Sequence, residues 1–471
     1  MKKWQIFSPK NLVRRLLDEV DYKKNLYNKK VLENSCGNGN VLEEIVIRYI
    51  NDCERKNYKK SKIEKGLQND IYGFEIDTDK YNECIDRLNV IVVHRGYREI
   101  KWNIYNADFL KYELNIKFDY IVGNPPYISY KDMNNKNRQF LKANFNTCCK
   151  GKFDYYFAFI EKSLNYMVDG GKLSYIIPNS LFKINSAQAL RELIFPYIIK
   201  VIDYKDKDIF KGQALVKSSI IILSNNCNKK NNKILYINAL SNKNLILDKK
   251  KMEEKWLLSN KKNVGIKRFG DDYKAFYPIA TLLNEVFILP DCKLQNSKYK
   301  CKDIVLEKDL LYKAVSIKNI KLNRNEMIIF PYKVSNNKIN HFSYNEFKIK
   351  FPLITKYLEK SKNRLLLRRI DKKSQWFEYG RTQSLSCLNI EKLMVSNIIT
   401  KTVSVYKVKK NIIPYSGIII KCKRNNMNLE KAKKILMSKR FLDYAYSIGS
   451  PISGKSVLIT SKDIENYMYE E

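Results

Sequence analysis

The stretch VLENSCGNGNVLEEIVIRYIND, residues 31–52, decides the fold of the first half of the chain. Its apolar start predicts a strand, and the helical spacing of apolar residues from about Val41 predicts a helix. Between the two, Gly37 and Gly39 allow the backbone to turn tightly beneath a ligand. Leu42 stands where a dinucleotide-binding loop has its third glycine, so the turn favours a nucleoside without phosphates.

Short apolar runs alternate with helical patterns through the first 225 residues. After the opening stretch, strand patterns recur in IYGFEID, FDYIVGN, GKLSYIIPN and SSIIILS, and helical patterns such as YNECIDRLNVIVV and FAFIEKSLNYMV separate them. Strands that are separated by helices of ten or more residues form parallel βαβ units. We therefore predict a Rossmann-like, doubly wound α/β sheet that binds its ligands at the carboxyl ends of its strands.

A second domain of different character follows this sheet. The polar stretch SNNCNKKNNK, residues 224–233, has the composition of a linker. Beyond it the alternation of strands and helices is lost, and short strand-like and helical pieces lie among lysines and asparagines. We predict a sheet domain over residues 1–232 and a mixed α+β domain over residues 233–471. Residues 51–69 are expected to form a polar surface excursion from the first domain.

The chain is strongly basic. Its 88 Lys and Arg residues against 49 Asp and Glu residues give a formal net charge of +39, and about two thirds of the excess lies in residues 231–471. A polyanionic partner accounts for such a charge. The alternative is the lysine and asparagine enrichment that an AT-rich genome produces. In either case the second domain carries the stronger positive field.

Neither a membrane segment nor a metal site is expected from the composition. No run approaches eighteen consecutive apolar residues, and MKKWQIFSPK lacks the apolar core of a signal peptide. The ten cysteines form no CxxC pair, and His94 and His341 are the only histidines, so the sequence offers no ligands at zinc-site spacing. We expect a cytoplasmic protein with reduced thiols and no required metal.

Two further strand ends carry groups that suit an adenosine. FEID, residues 74–77, puts Glu75 at a carboxyl end, where a carboxylate can accept hydrogen bonds from both ribose hydroxyls. In NADFL, residues 106–110, Asp108 can accept a hydrogen bond from an adenine amino group while Phe109 covers the ring. Each alone also suits a solvated acid or a core aromatic. Together with the glycine turn, three consecutive strands offer adenosine-compatible groups.

VGNPPYISY, residues 122–130, breaks the fourth strand with two prolines, which cannot continue a helix or an inner strand. An exocyclic amino nitrogen of a base is a poor nucleophile because its lone pair is delocalised into the ring. If the Asn124 side-chain oxygen and the Pro125 carbonyl each accept a hydrogen bond from it, the nitrogen becomes pyramidal and its lone pair is free to attack. Pro125 and Pro126 hold these acceptors still, and Tyr127 offers a face for stacking.

In this order the motifs resemble the gamma-class (Taq-type) amino methyltransferases that modify adenine in DNA, over most of the first 225 residues. FSP, residues 7–9, is similar to the motif that closes over the methionine part of the cofactor, and ENSCGNG, residues 33–39, to the glycine-rich cofactor loop. FEID resembles the ribose motif, ADF the adenine motif and NPPY the catalytic loop. FDYYFAFIEKSL and GGKLSYIIPNSLF resemble the two following motifs. IFKGQALVKSSIII, residues 209–222, resembles the segment whose aromatic residue sandwiches the flipped base. The family often has proline where Asn34 stands.

The resemblance implies S-adenosylmethionine as methyl donor, S-adenosylhomocysteine as product, and base stacking by Tyr127 and Phe210. It implies a catalytic site formed by Asn124, Pro125, Pro126, Tyr127 and Phe210. It also implies cofactor contacts at Phe7, Ser8, Pro9, Glu33, Ser35, Gly37, Gly39, Glu75, Ile76, Asp108 and Phe109. The adenosine-compatible groups agree with this cofactor, whose sulfonium needs no phosphate cradle. No proline precedes a cysteine, which excludes a cytosine ring-carbon methyltransferase with a cysteine nucleophile.

In the second half, QWFEYGRTQSL, residues 375–385, is similar to a stretch in the DNA-recognition domain of Taq-type enzymes. With arginines just upstream it supplies guanidinium and aromatic groups suited to phosphates and groove edges. These candidate DNA-binding residues are Arg364, Arg368, Arg369, Trp376, Tyr379 and Arg381. A basic helix with a buried Trp376 is the alternative. SIGSPISGKSVLI, residues 447–459, is a further candidate DNA-facing loop, and phosphate contacts should make binding fall steeply with salt.

The motifs together predict a monomeric methyltransferase that acts on the 6-amino group of an adenine flipped out of double-stranded DNA. We expect the modification arm of a restriction-modification system, with a cognate restriction endonuclease as partner, or an orphan relative, associated with a bacterial nucleoid. Cytosine 4-amino methylation is the nearest alternative, although that family more often has serine where Asn124 stands. A non-catalytic DNA-binding subunit with a methyltransferase fold is the alternative from another class. RNA and protein-glutamine methylation also use NPPY but do not explain a basic second domain.

Overall fold

The computed structural model describes residues 8–205, 209–210, 217–226, 232–241, 243–252, 255–256, 258, 265–335, 338–371, 374–382, 384–385, 389–424, 427–452 and 456–470. The chain divides into two compact units, Met1–Asn260 (unit 1) and Lys261–Glu471 (unit 2). Each unit has its own secondary structure and core, and the candidate chemistry of the first half lies within unit 1.

Helices alternate with strands along unit 1. Its helices are α1 Lys10–Glu19, α2 Asn40–Arg55, α3 Lys60–Asp70, α4 Thr78–His94, α5 Asn135–Asn144, α6 Tyr156–Asn165 and α7 Gln188–Ile194. Its strands are β1 Val31–Glu33, β2 Ile71–Phe74, β3 Asn103–Tyr105, β4 Phe118–Gly123, β5 Met167–Pro178, β6 Ile198–Asp203, β7 Ser218–Ser224, β8 Lys233–Asn238 and β9 Lys243–Asp248. Short 3-10 turns lie at Asn146–Cys148, Asn179–Phe182, Asn185–Ala187 and Lys249–Lys251.

The described strands of unit 1 form one sheet in the order β3-β2-β1-β4-β5-β7-β6-β8-β9. Strands β1 to β5 run parallel, whereas β7 lies antiparallel between β5 and β6. From β1 at the centre, β2 and β3 are added toward one edge of the sheet. The chain then returns to the centre, and β4 and the later strands are added toward the other edge. The predicted doubly wound sheet is confirmed, and its topological switch point, where ligands bind in such sheets, lies where β1 and β4 end.

Alternate residues of the central strands pack into two cores, one on each face of the sheet. Leu32 and Ile121 belong to the core that includes α6 and α7, whereas Val31 and Val122 belong to the core that includes α1, α2 and α4. Because both faces are covered, these strands are continuous apolar runs rather than alternating apolar and polar residues. The cores fix the strand ends, and with them the loops that carry polar side chains.

The sheet continues beyond the expected domain boundary between residues 232 and 233. Strand β8 pairs in parallel with β6, and β9 pairs antiparallel with β8. The hydroxyl of Tyr236 on β8 donates a hydrogen bond to Asp203 on β6, with an O–O distance of 2.8 Å. The polar stretch 224–233 therefore connects two strands of one sheet rather than two domains, and unit 1 ends at Asn260.

Residues 51–69 do not form the expected polar excursion, because they complete α2 and make up most of α3. Ile63 and Leu67 of α3 are buried. The two helices approach closely, since a Cβ atom at Gly66 would lie 2.2 Å from the Tyr49 hydroxyl oxygen. The many polar residues of this segment cover the solvent side of a packed helix pair.

Unit 2 consists of small sheets and short helices, in a mixed α+β arrangement. Its helices are α8 Phe269–Asp272, α9 Asn284–Phe287, α10 Ile317–Lys321, α11 Tyr344–Lys350, α12 Pro352–Glu359, α13 Lys362–Leu366, α14 Leu429–Met437, α15 Lys439–Ile448 and α16 Ser461–Glu465. Its strands are β10 Lys267–Arg268, β11 Tyr273–Phe276, β12 Ile288–Pro290, β13 Cys292–Gln295, β14 Lys298–Cys301, β15 Ile304–Glu307, β16 Leu311–Val315, β17 Glu326–Ile329, β18 Tyr332–Ser335, β19 Lys338–His341, β20 Lys392–Val395, β21 Ile398–Ile399, β22 Val405–Val408, β23 Ile413–Pro414, β24 Ile418–Cys422, β25 Ser450–Pro451, β26 Val457–Leu458 and β27 Met468–Tyr469. A short 3-10 turn lies at Lys308–Leu310. Across the described parts of both units, no helix combines the length and the apolar character needed to cross a bilayer.

Two sheets dominate unit 2, with the strand orders β11-β24-β20-β22 and β12-β17-β16-β23. Aromatic side chains fill the core beside the second sheet. The rings of Phe347 and Phe377 stack with their centroids 4.5 Å apart, and Tyr379 packs edge to face against Phe287 at 5.4 Å. The segment around residue 377 is therefore part of a hydrophobic core, which matters for the candidate DNA-binding residues that it carries.

One pair of cysteines departs from the expectation of reduced thiols. Cys292 and Cys301 stand opposite each other on the antiparallel strands β13 and β14 and are joined by a disulfide bond. Direct cross-strand neighbours bring their Cβ atoms close together, which is what the bond requires. Free thiols are present at Cys36, Cys53, Cys84, Cys148, Cys149 and Cys422.

Candidate active site

A cavity of about 580 Å³ opens at the carboxyl edge of the unit 1 sheet, where β1, β2, β3 and β4 end. Its walls come from the loops that follow these strands and from the start of α6. The predicted site residues that line it are Ser8, Glu33, Ser35, Gly37, Glu75, Ile76, Asp108, Phe109, Asn124, Pro125, Pro126 and Tyr127. The fold thus brings the glycine loop, the two adenosine-compatible acids and the NPPY corner to one cavity.

The loop between β1 and α2 needs its glycines. Gly37 and Gly39 have φ angles of 53° and 89°, which side chains rarely tolerate. A Cβ atom at Gly39 would also lie 2.7 Å from the Cys84 sulfur on α4. Gly37 lies on the cavity wall, whereas Gly39 lies on the side of the loop that packs against α4.

Backbone amides orient the two acids at the cavity. Glu75 accepts a hydrogen bond from the Gly37 amide on Oε2, at 2.8 Å, and one from the Asp77 amide on Oε1, at 2.9 Å. Asp108 accepts one from the Leu110 amide on Oδ1, at 3.0 Å. Because each carboxylate oxygen has two acceptor positions, both acids keep capacity for hydroxyl or amino groups of a ligand. They are therefore held in place without being saturated.

Glu33 is a buried carboxyl group on the cavity wall. Its side chain is 2% exposed, and among the described residues its Oε2 atom has no hydrogen-bond partner. Burial raises the pKa of Glu33 well above its usual range, and the nearby Cys84 and Glu75 raise it further. A buried carboxyl oxygen without a partner is costly. The cavity therefore offers an unused acceptor to a ligand that brings a cationic or hydrogen-bond-donating group.

The NPPY corner begins immediately after β4. Asn124 is half-buried, and the Ser35 hydroxyl donates a hydrogen bond to its backbone carbonyl at 3.3 Å. Burial raises the pKa of Tyr127 well above its usual range, so its hydroxyl stays neutral. Asn124, Pro125, Pro126 and Tyr127 all line the cavity, so the acceptor groups of the corner lie beside the glycine loop.

Phe210 lies next to this corner but does not form a slot with it. Its ring centroid is 6.5 Å from that of Tyr127, with the ring planes at 67°. It is 1% exposed and does not line the cavity. An edge-to-face pair leaves no room for a base between the rings. The implied sandwich therefore requires these two side chains to move apart and become parallel when a base enters.

The remaining predicted cofactor contacts differ in position. Phe7 lies outside the described residues. Ser8 is 6% exposed and lines the cavity, whereas Pro9 caps α1 and is not part of the lining. Ile76 is 67% exposed at the cavity mouth. Within the described ranges no cluster of three or more His, Cys, Asp or Glu side chains is arranged to hold a metal ion.

One wall of the cavity is aromatic and was not predicted from the sequence. Tyr155, whose amide donates to the Ile128 carbonyl at 2.9 Å, lies 5.7 Å from Phe159, and Phe159 lies 5.6 Å from Phe109, measured between ring centroids. The signal was the pair of aromatic residues four positions apart in FDYYFAFIEKSL, which share one side of a helix. The other lining residues that went unnamed as site residues include Asn38, Lys80, Asp132, Met133, Asn134 and Asn137.

In unit 2, four of the candidate DNA-binding residues keep side-chain surface for a partner. Arg364 and Arg369 are exposed, and Trp376 and Arg381 are half-buried. Arg364 forms an ion pair with Glu285, and an Nη1 atom of Arg381 lies 2.9 Å from an Asp371 oxygen. Residues 453–455 of the second candidate loop lie outside the described residues.

The other two candidates belong to the core of unit 2. Tyr379 is fully buried, and its hydroxyl donates to the Ile329 carbonyl at 2.7 Å. The Arg368 guanidinium donates to the backbone carbonyls of Thr281, Trp376 and Glu378, and burial lowers its pKa to about 10. These donors are used inside the unit, so the prediction that Arg368 and Tyr379 contact DNA is corrected to a structural role.

Comparison with known proteins adds to this geometry. Residues 23–210 match the family described as Eco57I restriction-modification methylase. The chain is 23% identical over 336 residues to the Type II restriction enzyme and methyltransferase RM.Eco57I of Escherichia coli, over 61% of this chain and 33% of the relative. It is 27% identical over 253 residues to the Type II methyltransferase M.BstVI of Geobacillus stearothermophilus, over 50% of this chain and 45% of the relative. The chain therefore spans a third to under half of the length of these relatives.

A solved structure shares the fold. The Type IIL restriction-modification enzyme MmeI in complex with DNA matches with a TM-score of 0.59 and 14% sequence identity, over 97% of this chain and 64% of that chain. At this identity the match establishes similarity of fold. The shared fold extends over both units, since the match covers 97% of this chain.

Proposed function

We propose that the chain is a site-specific DNA methyltransferase that transfers a methyl group from S-adenosylmethionine to the 6-amino group of adenine in double-stranded DNA. The observation that carries the proposal is the position of the Asn124–Tyr127 corner on the wall of the cavity that also contains Gly37, Glu75 and Asp108. The match of residues 23–210 to a restriction-modification methylase family supports it.

The cavity suits the proposed cofactor. We propose that Glu75 accepts hydrogen bonds from the ribose hydroxyls, that Asp108 accepts one from the adenine amino group, and that Phe109 and Phe159 pack against the adenine ring; all four residues line the cavity. Glu33 can accept from a cationic ammonium group, which removes the cost of its unused oxygen. When bound, S-adenosylmethionine supplies an activated methyl group on a sulfonium and leaves as S-adenosylhomocysteine.

The NPPY corner acts on the methyl acceptor. The Asn124 side-chain oxygen and the Pro125 carbonyl accept hydrogen bonds from the adenine amino group, which favours a pyramidal nitrogen with an available lone pair. The two prolines fix the direction of these acceptors. Tyr127, with Phe210 after the rings separate, stacks on the extruded base and offsets part of the unstacking cost. This arrangement requires neither a covalent enzyme intermediate nor a metal.

Unit 2 is proposed to recognise the duplex around the target. The exposed and half-buried side chains of Arg364, Arg369, Trp376 and Arg381 can contact phosphates and groove edges. The positive charge of residues 231–471 favours this partner. We further propose that the protein acts as a monomer in the bacterial cytoplasm, alongside a cognate restriction endonuclease.

The proposal is tested by incubating the purified chain with duplex DNA and methyl-labelled S-adenosylmethionine, digesting the DNA to nucleosides and analysing them by mass spectrometry. We expect 6-methyl-2′-deoxyadenosine, confined to one short sequence. 4-Methyl-2′-deoxycytidine would overturn adenine specificity in favour of the cytosine alternative. DNA binding without any methylated nucleoside, across DNA of diverse sequence, would overturn the catalytic proposal in favour of a binding subunit.

A further inference from the structure

Unit 2 carries two neighbouring apolar side chains on its surface at the end of α13. Leu366, the last residue of this helix, is 58% exposed, and Leu367, which follows it, is 85% exposed. A single exposed leucine is ordinary in a folded protein. Two adjacent exposed leucines with charged residues around them form a candidate interaction site. We call Leu366 and Leu367 the leucine pair.

The residues on either side hold the leucine pair at the surface. Leu365 is fully buried in the core of unit 2. Arg368 is half-buried, and its guanidinium donates hydrogen bonds to the carbonyls of Trp376 and Glu378, at 2.6 Å and 3.0 Å. Its Nε atom also donates to the Leu365 carbonyl at 3.0 Å. Because both neighbours are fixed to the core, the leucine pair is presented outward on a rigid support.

Positive charge flanks the leucine pair. Residues 360–369 contain five cationic side chains and no acid. One of the five, Arg368, donates to carbonyls inside the unit, and another, Arg364, pairs with Glu285. The other three are exposed, and within the described ranges no acidic side chain pairs with them. These three cations are Lys360, Lys362 and Arg369.

Two of the three unpaired cations have a fixed position near the leucine pair. Lys362 and Leu366 are four residues apart on α13, so they lie on the same side of the helix. The Lys362 ammonium lies 5.3 Å from the centroid of the Trp376 ring. The backbone of Arg369 is held by its carbonyl, which accepts a hydrogen bond from Arg381 Nη1 at 2.8 Å. Apolar and cationic groups are therefore presented together.

A partner for this surface has to offer negative charge and apolar surface side by side. A second copy of the chain is disfavoured, because it would bring the same unpaired cations against each other. Duplex DNA offers both features, since its phosphates lie outside and the faces of its base pairs become accessible where a step is opened. Leucine is one of the side chains that DNA-kinking proteins insert between base pairs.

We propose that the leucine pair inserts as a wedge into one base step of the duplex, while Lys360, Lys362 and Arg369 contact the phosphates on either side of that step. This inference rests on the proposed function, because its partner is the DNA substrate. It deepens that function by giving unit 2 a part in deforming the duplex. The wedge takes no part in the methyl transfer itself.

The test follows base stacking in a duplex that contains the methylation site of the full chain. The fluorescent analogues 2-aminopurine and pyrrolo-2′-deoxycytidine replace one adenine or cytosine at a time on either strand, and both brighten when they are unstacked. Each duplex is titrated with wild type and with the double variant Leu366→Ala, Leu367→Ala. The result at each position is the difference between the two proteins, which removes brightening caused by extrusion of the target base.

We expect the double variant to lose the brightening at one base step. It should also bind the duplex about tenfold more weakly by fluorescence anisotropy, because two apolar side chains no longer become buried. Its slope of log affinity against log salt should equal that of wild type, since leucine carries no charge. Arg369→Gln should instead reduce the magnitude of this slope by about 1 and keep the brightening at saturating protein.

A control variant separates the wedge from a general effect of exposed apolar side chains. Ile266→Ala removes another aliphatic side chain of unit 2 that is 85% exposed, and it should match wild type in brightening and affinity. A second measurement uses wild type alone, so it does not depend on the folding of a variant. A mismatch at the brightened step lowers the cost of unstacking and should tighten binding.

Equal brightening by wild type and the folded double variant at every position overturns the inference, and so does a mismatch that leaves wild-type binding unchanged. A wild type that dimerises in sedimentation, while the double variant stays monomeric, assigns the leucine pair to a contact between copies and also overturns it. Methylation by wild type is measured in the same preparation. Methylation without leucine-dependent unstacking fails the wedge alone, whereas a wild type that methylates nothing fails the proposed function.

Discussion

Burial sets the behaviour of individual acids around the cavity. Asp154, two residues before α6, has a pKa of about 6, raised first by burial and next by the charge of Asp132. Asp132 itself lines the cavity. An ionised Asp154 places a second negative charge beside Asp132 in a poorly solvated region, which costs free energy. At neutral pH the protein therefore carries a destabilising negative charge close to the candidate active site.

Replacing Asp154 with asparagine should remove this cost. The carboxyl group has a folded-state pKa of about 6 against an ordinary value of 3.8, so the folded protein holds this proton more tightly than the unfolded chain. The resulting stability is fully present below about pH 4 and is lost as the pH rises to about 6. We therefore expect Asp154→Asn to stabilise the protein more at pH 7 than at pH 4.5. The change that the substitution makes to the free energy of unfolding should be larger at pH 7 by on the order of 2 kcal/mol.

Urea denaturation of wild type and variant at both pH values measures this difference. Asp86→Asn, at an exposed position of α4, is the control and should leave the pH dependence of stability unchanged. If the Asp154→Asn protein shows the same pH dependence as the wild type, the assigned burial of this carboxyl group is wrong.

At the level of residues, the sequence predicts which side chains follow a strand better than it predicts which side chains are buried. Glu75 and Asn124 follow strands directly, as the apolar runs before them predict, and the structure has both on one cavity. Arg368 and Tyr379 are the opposite case. From the sequence alone, an arginine or tyrosine near other aromatic and basic residues fits a DNA interface as well as a buried core. Only the tertiary contacts decide whether its hydrogen-bond donors face a partner or the interior of the protein.

Among the elements, β8 and β9 show how composition misleads. A run of asparagine and lysine suits a linker between domains as well as a long loop within a sheet. The distinguishing information is the pairing of β8 with β6, which joins segments more than thirty residues apart in sequence. Ile234 and Tyr236 of β8 and Leu247 of β9 are buried in the unit 1 core.

Truncation tests this boundary. A chain that ends at residue 260 should fold as a stable unit, whereas one that ends at residue 232 should lose several kcal/mol of stability. The shorter chain loses the buried apolar side chains of Ile234, Tyr236, Leu247 and Trp256 and the hydrogen bond from Tyr236 to Asp203.

Circular dichroism during urea denaturation and resistance to protease compare the two chains, at matched concentration. Equal midpoints and equal protease resistance would show that β8 and β9 are dispensable, and the boundary expected from the sequence would then be restored.

For the whole molecule, the net charge and the order of the motifs support the same proposed class of substrate. The net charge of +39 predicts a polyanion without naming it, and the resemblance of the first 225 residues supplies the chemistry. The α/β rhythm of unit 1 could be predicted because each βα step is local. The small sheets of unit 2 could not, because their strands are short and half of their described pairings join strands that are far apart in sequence, such as β11 with β24 and β16 with β23.

The central claim is that the NPPY corner activates an aromatic amine beside a bound cofactor, and Asn124→Ala tests it most directly. Turnover of methyl groups is measured by filter assay, binding of S-adenosylhomocysteine by calorimetry and binding of DNA by anisotropy. Asn144→Ala, at an exposed position of α5, is the matched control. We expect Asn124→Ala to bind both ligands within about twofold of wild type while its turnover falls by about 10²- to 10³-fold. Undiminished turnover in this variant would contradict the account.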